Sequence, residues 1–314
     1  MDNVASSMVN GLLRIKPLAK FAKHRARNMM MDRAESLGVY WRDEVKHLQT
    51  RGDRAHQGTA VNPGWEEALA AIANPDIHYP SYYTTSFHAY EEGNLGWLPA
   101  MEVDVAARAV HARIWPEGDA RSGVQGDASL RSSFHQILKA HLSAVPKRIV
   151  DLGCSAGASS FALQQTFPKA HITGLDLSAY FLAVAQYQAA KLGSQVQWLH
   201  AAAEETGLPD GSVDLASVCL VFHELPAAAA REVIAEAYRI LRPGGHFAVM
   251  DMNPASAAYR AMPPYVLTLL KSTEPYLDQY FSLDMTESFE QAGFKTPTIT
   301  VNSPRHRTVL GQKA

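Results

Sequence analysis

Apolar residues recur at three- and four-residue steps at Met8, Leu12, Ile15, Ala19 and Ala22. That spacing predicts an amphipathic helix near the start of the chain, with Pro17 as a kink or as the boundary between two short helices. Residues 50–64 are polar and punctuated by Gly and Pro, which predicts a loop. Asn62 then caps a helix that begins at Pro63 and sets Trp65, Leu69 and Ile72 on one side. Further helices are predicted over 101–115 and 129–143, the first ended by the turn around Pro116.

At residue 148 the pattern changes. The segment RIVDLGCSAGASS, residues 148–160, runs from a short apolar strand through a loop of small residues into a helix carrying Phe161, Leu163 and Phe167. A second strand, HITGL over 171–175, ends in Asp176. Residues 253–283 are rich in Tyr, Pro and Leu and precede a last helix over 286–292, which Gly293 terminates. Two short strands, 298–301 and 308–311, close the chain around the turn NSPR.

Composition narrows the classes. With 314 residues, 47% hydrophobic and 19% charged, the chain is an ordinary globular one, and disorder as its main state is excluded. A net charge of −2 and a pI near 6.7 lack the basic footprint that nucleic acid demands, so no nucleic acid is expected and a small, weakly charged partner fits better. Two cysteines, Cys154 and Cys219, make no disulfide scaffold, and no Cys/His spacing points to zinc, so no metal is expected and a reducing compartment is. No apolar window is long enough for a membrane span. These features together predict a soluble, cytoplasmic protein, with a plastid as the alternative.

Local charge complicates that picture at one place. Arg14, Lys16, Lys20, Lys23, Arg25 and Arg27 lie in a stretch where Asp2 is the only acid before Met31. A basic amphipathic helix can contact an anionic membrane surface, serve as an organelle-targeting segment, or pack on its own domain with a solvated basic face. All three readings stand on the sequence.

An aromatic cluster follows: Tyr79, Tyr82, Tyr83, Phe87, Tyr90 and Trp97, with His78 and His88 inside it. Rings with polar tips suit a pocket for a planar substrate and equally suit a helical cap packed on a larger domain.

The strand–turn–helix corner at 148–160 carries the chemistry. Gly153 and Gly157 remove side-chain bulk, so a ligand can approach backbone and the free N–H groups of a helix start. Asp176, at the tip of the next strand, can accept both hydroxyls of a ribose. The order of glycines is not the G-x-G-x-x-G of a pyrophosphate turn, and Asp151, two residues before Gly153, opposes phosphate and favours a cation. A ligand with a ribose, no phosphate and a positive charge meets these conditions, and S-adenosylmethionine has all three features.

These residues resemble the class I S-adenosylmethionine-dependent methyltransferases, in the branch that includes quinone-biosynthesis methyltransferases. VDLGCSAG at 150–157 is similar to the family's first motif, and GLDLS at 174–178 to its second-strand acid. LPDGSVD at 208–214, followed by LASVCLVF, is similar to the entry into strand four, and LRPGG at 241–245 and HFAVM at 246–250 to the loop before strand five and the strand itself. The stretch FHAYEEGNLGW, 87–97, also resembles little-characterised methyltransferases of cyanobacteria and plant plastids.

The resemblance implies an α/β fold: a doubly wound, mostly parallel seven-stranded sheet with an antiparallel last strand, in residues 141–314, preceded by an N-terminal helical cap in 1–140. It implies methyl transfer from S-adenosylmethionine to a small-molecule acceptor, by C- or O-methylation of a quinone-like or phenolic compound. Asp151, Gly153, Ser155, Gly157, Asp176, Leu177, Ala203, Glu204 and Leu220 would hold the cofactor. Ser155 stands where the family has a middle glycine, and Ala202 where an acid usually precedes the adenine contact, which leaves the Ala203 backbone and Glu204 for that contact.

After strand four, FHELP at 222–226 places His223 at the carboxyl edge of the sheet, as a general base or as a residue that lines the strand edge. Glu224 reads as a complement to the next helix's dipole, and Asp251 as a helix cap, a loop hydrogen bond or a pocket residue. Tyr82, Tyr83, His88 and Tyr265 are the acceptor-binding candidates, with Tyr276 and Tyr280 facing the same way. Two rivals remain: a non-catalytic S-adenosylmethionine-binding scaffold or sensor, and a nicotinamide-dependent oxidoreductase, which Asp151 and the missing fingerprint disfavour.

Overall fold

In the computed structural model, residues 16–53, 61–88 and 90–314 are described, with side chains from residue 25 onward except Ala26. The N-terminal part is helical: α1 (Lys16–Ser36), α2 (Trp41–Thr50), α3 (Gly64–Ile72), α4 (Trp97–His111) and α5 (Gly126–His141). Alternation of strands and helices follows, with β1 (Arg148–Leu152), α6 (Ala158–Thr166), β2 (His171–Asp176), α7 (Ala179–Leu192), β3 (Gln197–His200), β4 (Val213–Cys219), α8 (Ala227–Ile240) and β5 (Leu241–Met252). The chain ends with α9 (Ala257–Arg260), α10 (Pro264–Thr273), α11 (Leu277–Ser282), α12 (Met285–Gln291), β6 (Thr298–Val301) and β7 (His306–Gln312).

The seven strands lie in the order β3-β2-β1-β4-β5-β7-β6. β1 to β5 run parallel, and β7 pairs antiparallel with both β5 and β6. The order reverses direction between β1 and β4, so the crevice outside their carboxyl ends is where a ligand of such a fold binds. The expected loop at 241–245 is part of β5: Leu241 pairs with Val213, a register shift follows, and regular pairing resumes at His246 with Leu215. The extra residues over Arg242, Pro243, Gly244 and Gly245 are absorbed as an irregularity, because Pro243 has no N–H to give to a ladder.

The central strands are buried on both faces, and successive side chains alternate between two apolar layers. Val150, Leu152, Ala216, Val218, Phe247 and Val249 join one cluster with Val233, Ile234 and Ala237 of α8 and Phe289 of α12. Ile149, Leu215, Ala248 and Met250 join the other with Leu130, Phe134 and Leu138 of α5 and Leu163 of α6. α5, which the sequence assigns to the N-terminal cap, thus covers one face of the sheet. A third cluster gathers Met31, Trp41, Trp65, Met101 and Val105 of the N-terminal helices around Phe181 and Val184 of α7.

Helix boundaries differ from expectation at identifiable residues. Pro17 lies in the first turn of α1, where its missing N–H costs nothing, and the helix continues through it. The expected apolar stripe of this helix lies outside the described residues and side chains. α4 starts at Trp97, four residues before the predicted start at Met101, because Pro99 is tolerated in a first turn for the same reason. Asn62 does act at the start of α3, its Oδ1 accepting from the Gly64 N–H at 2.9 Å.

Candidate active site

The turn after β1 is left-handed at three of five positions: Gly153 (φ +69°), Ser155 (φ +53°) and Gly157 (φ +93°). A Cβ on Gly153 would stand 2.7 Å from Val221 Cγ2, and one on Gly157 2.7 Å from Trp198 Cη2, so both the conformation and the space require glycine. Ser155 is tolerated in this region because its N–H is fixed: it donates to Asp176 Oδ2 at 2.7 Å. The Ser178 N–H donates to the other oxygen, Oδ1, at 2.8 Å. The carboxylate at the tip of β2 therefore organises the turn after β1.

Asp151 is fully buried in β1. Its Oδ2 accepts from Ser159 Oγ at 2.6 Å and Ser160 Oγ at 2.7 Å, both on α6, while its Oδ1 has no partner. The Ser155 hydroxyl is likewise buried without a partner. Burial pushes Asp151 up to about 6 and Asp176 to about 6, in the latter case against the two backbone N–H bonds. Two buried carboxyl groups with no cation bonded to them, one with a free oxygen, fit a ligand that brings an ammonium and a hydroxyl pair. The residues present therefore suit S-adenosylmethionine.

Side chains from the aromatic segment close over this corner. The Tyr82 hydroxyl donates to Glu204, the candidate for the adenine end, whose carboxyl burial raises. Tyr83 sits beside Asp176 and helps to hold its proton affinity down. Leu177 is buried, and its carbonyl accepts from His200 Nε2 at 3.0 Å, while His200 Nδ1 accepts from the Asn74 N–H at 2.8 Å. Ala203 packs against the apolar layer next to Glu204. Leu220, just beyond β4, is left-handed (φ +62°) and its N–H bonds to the Met250 carbonyl at 2.8 Å.

At the other end, a 3-10 turn over Phe222–Glu224 follows Leu220. His223 Nδ1 lies 2.7 Å from Asp251 Oδ1, and the His223 N–H donates to Asp251 Oδ2 at 3.2 Å. Burial disfavours a charged His223, but Asp251 and the nearby Glu274 and Glu224 outweigh it and hold the imidazole up at about 10. Asp251 is lowered in turn: burial would raise it, and His223 overrides that. His88 Nε2 is 2.9 Å from Glu274 Oε1 and 3.5 Å from Glu224 Oε1. Burial lifts Glu224 to about 7, against the pull of His88 and His223. His88 is left-handed (φ +47°), and its N–H bonds to the Thr273 carbonyl at 3.2 Å, which sets it next to Glu274.

The structure thus brings His223 and His88 together with three carboxylates, only one of which is on the same turn. Asp251 binds His223 and caps no helix, and Glu224 faces the histidines. Glu274 carries no sequence signal, since it joins the site only through the fold of 253–283. Ser159 and Ser160, on the first turn of α6, orient Asp151 and were legible only as small residues of the turn.

The three tyrosines expected to face substrate from 253–283 take three different positions. Tyr280 is buried, and its hydroxyl donates to the Met252 carbonyl at 2.7 Å, so it belongs to the core. Tyr276 meets Tyr82 edge-on at 6.2 Å. Tyr265 stands exposed at the start of α10, a helix with no fully buried residue that packs on the core through Leu270.

Residues 149–245 match the methyltransferase-domain family. A demethylmenaquinone methyltransferase of Thermus thermophilus is 33% identical over 113 residues, 36% of this chain and 50% of that protein. An uncharacterized methyltransferase of Synechocystis is 29% identical over 163 residues, 51% of this chain and 73% of its own length. A ubiquinone biosynthesis O-methyltransferase of Aromatoleum aromaticum is 29% identical over 158 residues, 49% of this chain and 66% of its own. The chain spans half the length of the first of these relatives. The sheet order, the left-handed turn and the paired carboxylates agree with the match of residues 149–245 to the methyltransferase-domain family.

Proposed function

We propose that the protein transfers a methyl group from S-adenosylmethionine to a small phenolic or quinol-like acceptor. The observation that carries this reading is the position of the Asp251–His223 pair, at the carboxyl edge of the sheet just past β4, beside the turn that Asp176 organises. S-adenosylmethionine, when bound, supplies an electrophilic methyl group. Asp151 and Asp176 hold it, and the glycines of the turn let it approach the backbone. In-line transfer depends mainly on orientation, which a rigid turn between two strands provides.

A hydroxyl or enol acceptor must also lose a proton. The cluster of His223, Glu224, His88 and Glu274 can hold the acceptor, and Glu224, lifted to about 7, is the member suited to take that proton, since Asp251 keeps His223 itself protonated. Tyr82 and Tyr83 cover the cofactor side with aromatic surface, which suits a planar ring. The names of the curated relatives, two of which act in quinone pathways, support an acceptor of that kind.

The test is calorimetric titration with S-adenosylmethionine, S-adenosylhomocysteine and NAD, followed by transfer of labelled methyl to a panel of phenols, catechols and quinols. Micromolar binding of both sulfur ligands, none of NAD, and label in an acceptor are expected. Binding without transfer to any acceptor would favour a non-catalytic scaffold, and binding of NAD alone would overturn the reading.

A further inference from the structure

We propose that His88, His223 and Glu274, with Glu224 as a fourth donor, form a binding site for a divalent transition-metal ion. One donor atom from each of the first three residues lies within 4.8 Å of the others. In a four-coordinate site with bonds near 2.1 Å, ligand atoms stand roughly 3.4 Å apart. The separations of His88 Nε2 from Glu274 Oε1, 2.9 Å, and from Glu224 Oε1, 3.5 Å, already bracket that value. His223 offers its ring nitrogen within 4.8 Å of the His88 and Glu274 donor atoms.

Three further observations separate this cluster from a plain ion-pair network. Glu274 Oε2 is buried and has no partner, while the residue as a whole is 7% exposed. His223 is held through Nδ1 by Asp251, whose side chain is 1% exposed, which leaves Nε2 to point outward. A ligating histidine held from behind by a buried carboxylate is the usual support of a metal centre. Finally, three carboxyl groups, Asp251, Glu224 and Glu274, are packed around the two imidazoles, so oxygen and nitrogen donors converge on one place from four segments of the chain.

The donor set, two imidazoles and one or two carboxylates, is of the type that takes zinc, cobalt, iron or manganese, and is poor for calcium. The His88 side chain is 36% exposed, so the site is open on one side, where an oxygen of a small ligand can complete the coordination. The ligands come from the aromatic segment, the turn after β4 and the end of α10, so a bound ion would also tie these three segments together. The site stands on its own geometry and does not require that the protein transfer methyl groups.

The experiment is titration of the full chain, freed of metal by chelator, with cobalt(II), followed by visible absorption and by calorimetry with zinc(II). One equivalent is expected to bind at micromolar or better affinity, and cobalt is expected to show the intense d–d bands of a low-coordinate nitrogen–oxygen site. His88→Ala and Glu274→Gln are each expected to weaken binding at least tenfold, and Asp251→Asn to weaken it by a smaller factor. Retained binding of S-adenosylhomocysteine and unchanged circular dichroism show that each variant is folded. Absence of stoichiometric binding in the parent chain would overturn the proposal, as would the same affinity in folded His88→Ala and Glu274→Gln variants, which would place the ion elsewhere.

Discussion

Ser155, left-handed in the turn after β1, donates its backbone N–H to Asp176 Oδ2 at 2.7 Å, so the carboxylate at the tip of β2 shapes the turn of the neighbouring strand. Its second oxygen is engaged by the Ser178 N–H. Removing this carboxylate is expected to loosen the turn and to delete the proposed ribose acceptor together. Asp176→Ala is expected to weaken S-adenosylhomocysteine binding by about 1–3 kcal/mol, the range for hydrogen bonds to a charged group. Calorimetry on the folded variant checks this, and an unchanged affinity would remove Asp176 from the cofactor site.

The same carboxyl predicts a pH dependence of opposite sign for binding and for stability. Burial holds Asp176 at about 6 in the folded protein, above its ordinary value. Between pH 6 and pH 4 the folded chain keeps a proton there that the unfolded chain releases, so acidification stabilises the ligand-free protein at this group. The protonated carboxyl accepts ribose hydroxyls less well, so cofactor affinity falls over the same window. Thermal melts and titrations at pH 7 and pH 5, for the parent and for Asp176→Asn, separate the two. The variant should lose both responses.

Asp251→Asn leaves the cofactor corner untouched and releases His223. Turnover on any acceptor found is expected to drop at least tenfold, with S-adenosylhomocysteine affinity within twofold of the parent. The contrast with Asp176→Ala, which acts on affinity, assigns the two carboxylates to different ends of the cleft.

Asp127, in the first turn of α5, lies 2.9 Å from Arg131 Nε and 2.7 Å from His111 Nδ1. Burial would raise its carboxyl, but the Arg131 charge and the His111 hydrogen bond hold it well below the usual range. Its contribution to stability is therefore complete above pH 4 and is lost as the pH falls below the ordinary carboxylate value. Asp127→Asn leaves Arg131 half-paired at the seam between α4 and α5, and a loss of about 3 kcal/mol is expected in urea unfolding at pH 7.

Gly157→Ala tests the turn itself. At φ +93°, with a Cβ 2.7 Å from the Trp198 ring, the substitution meets both strain and a clash. A loss of about 1–2 kcal/mol of stability, from the left-handed conformation alone, and weaker cofactor binding are expected.

What was legible in the sequence was what is local. The apolar run at 149–152, the small residues at 153–160 and the acid at 176 each lie within one strand–turn–helix unit. Their spacing therefore marks the strand–turn–helix corner and the acid at the tip of the next strand, and the resemblance is what implies the parallel pairing and the seven-stranded sheet. What only the tertiary structure decided was which distant segments meet beyond the carboxyl ends of the strands. His88, Glu274 and Asp251 reach His223 from the aromatic segment, the end of α10 and β5, and Tyr280 turns into the core while Tyr265 faces out. A residue's periodicity reports the face of its own element, not the loop that will pack against it. Contacts between residues so far apart depend on how the whole chain closes around the sheet.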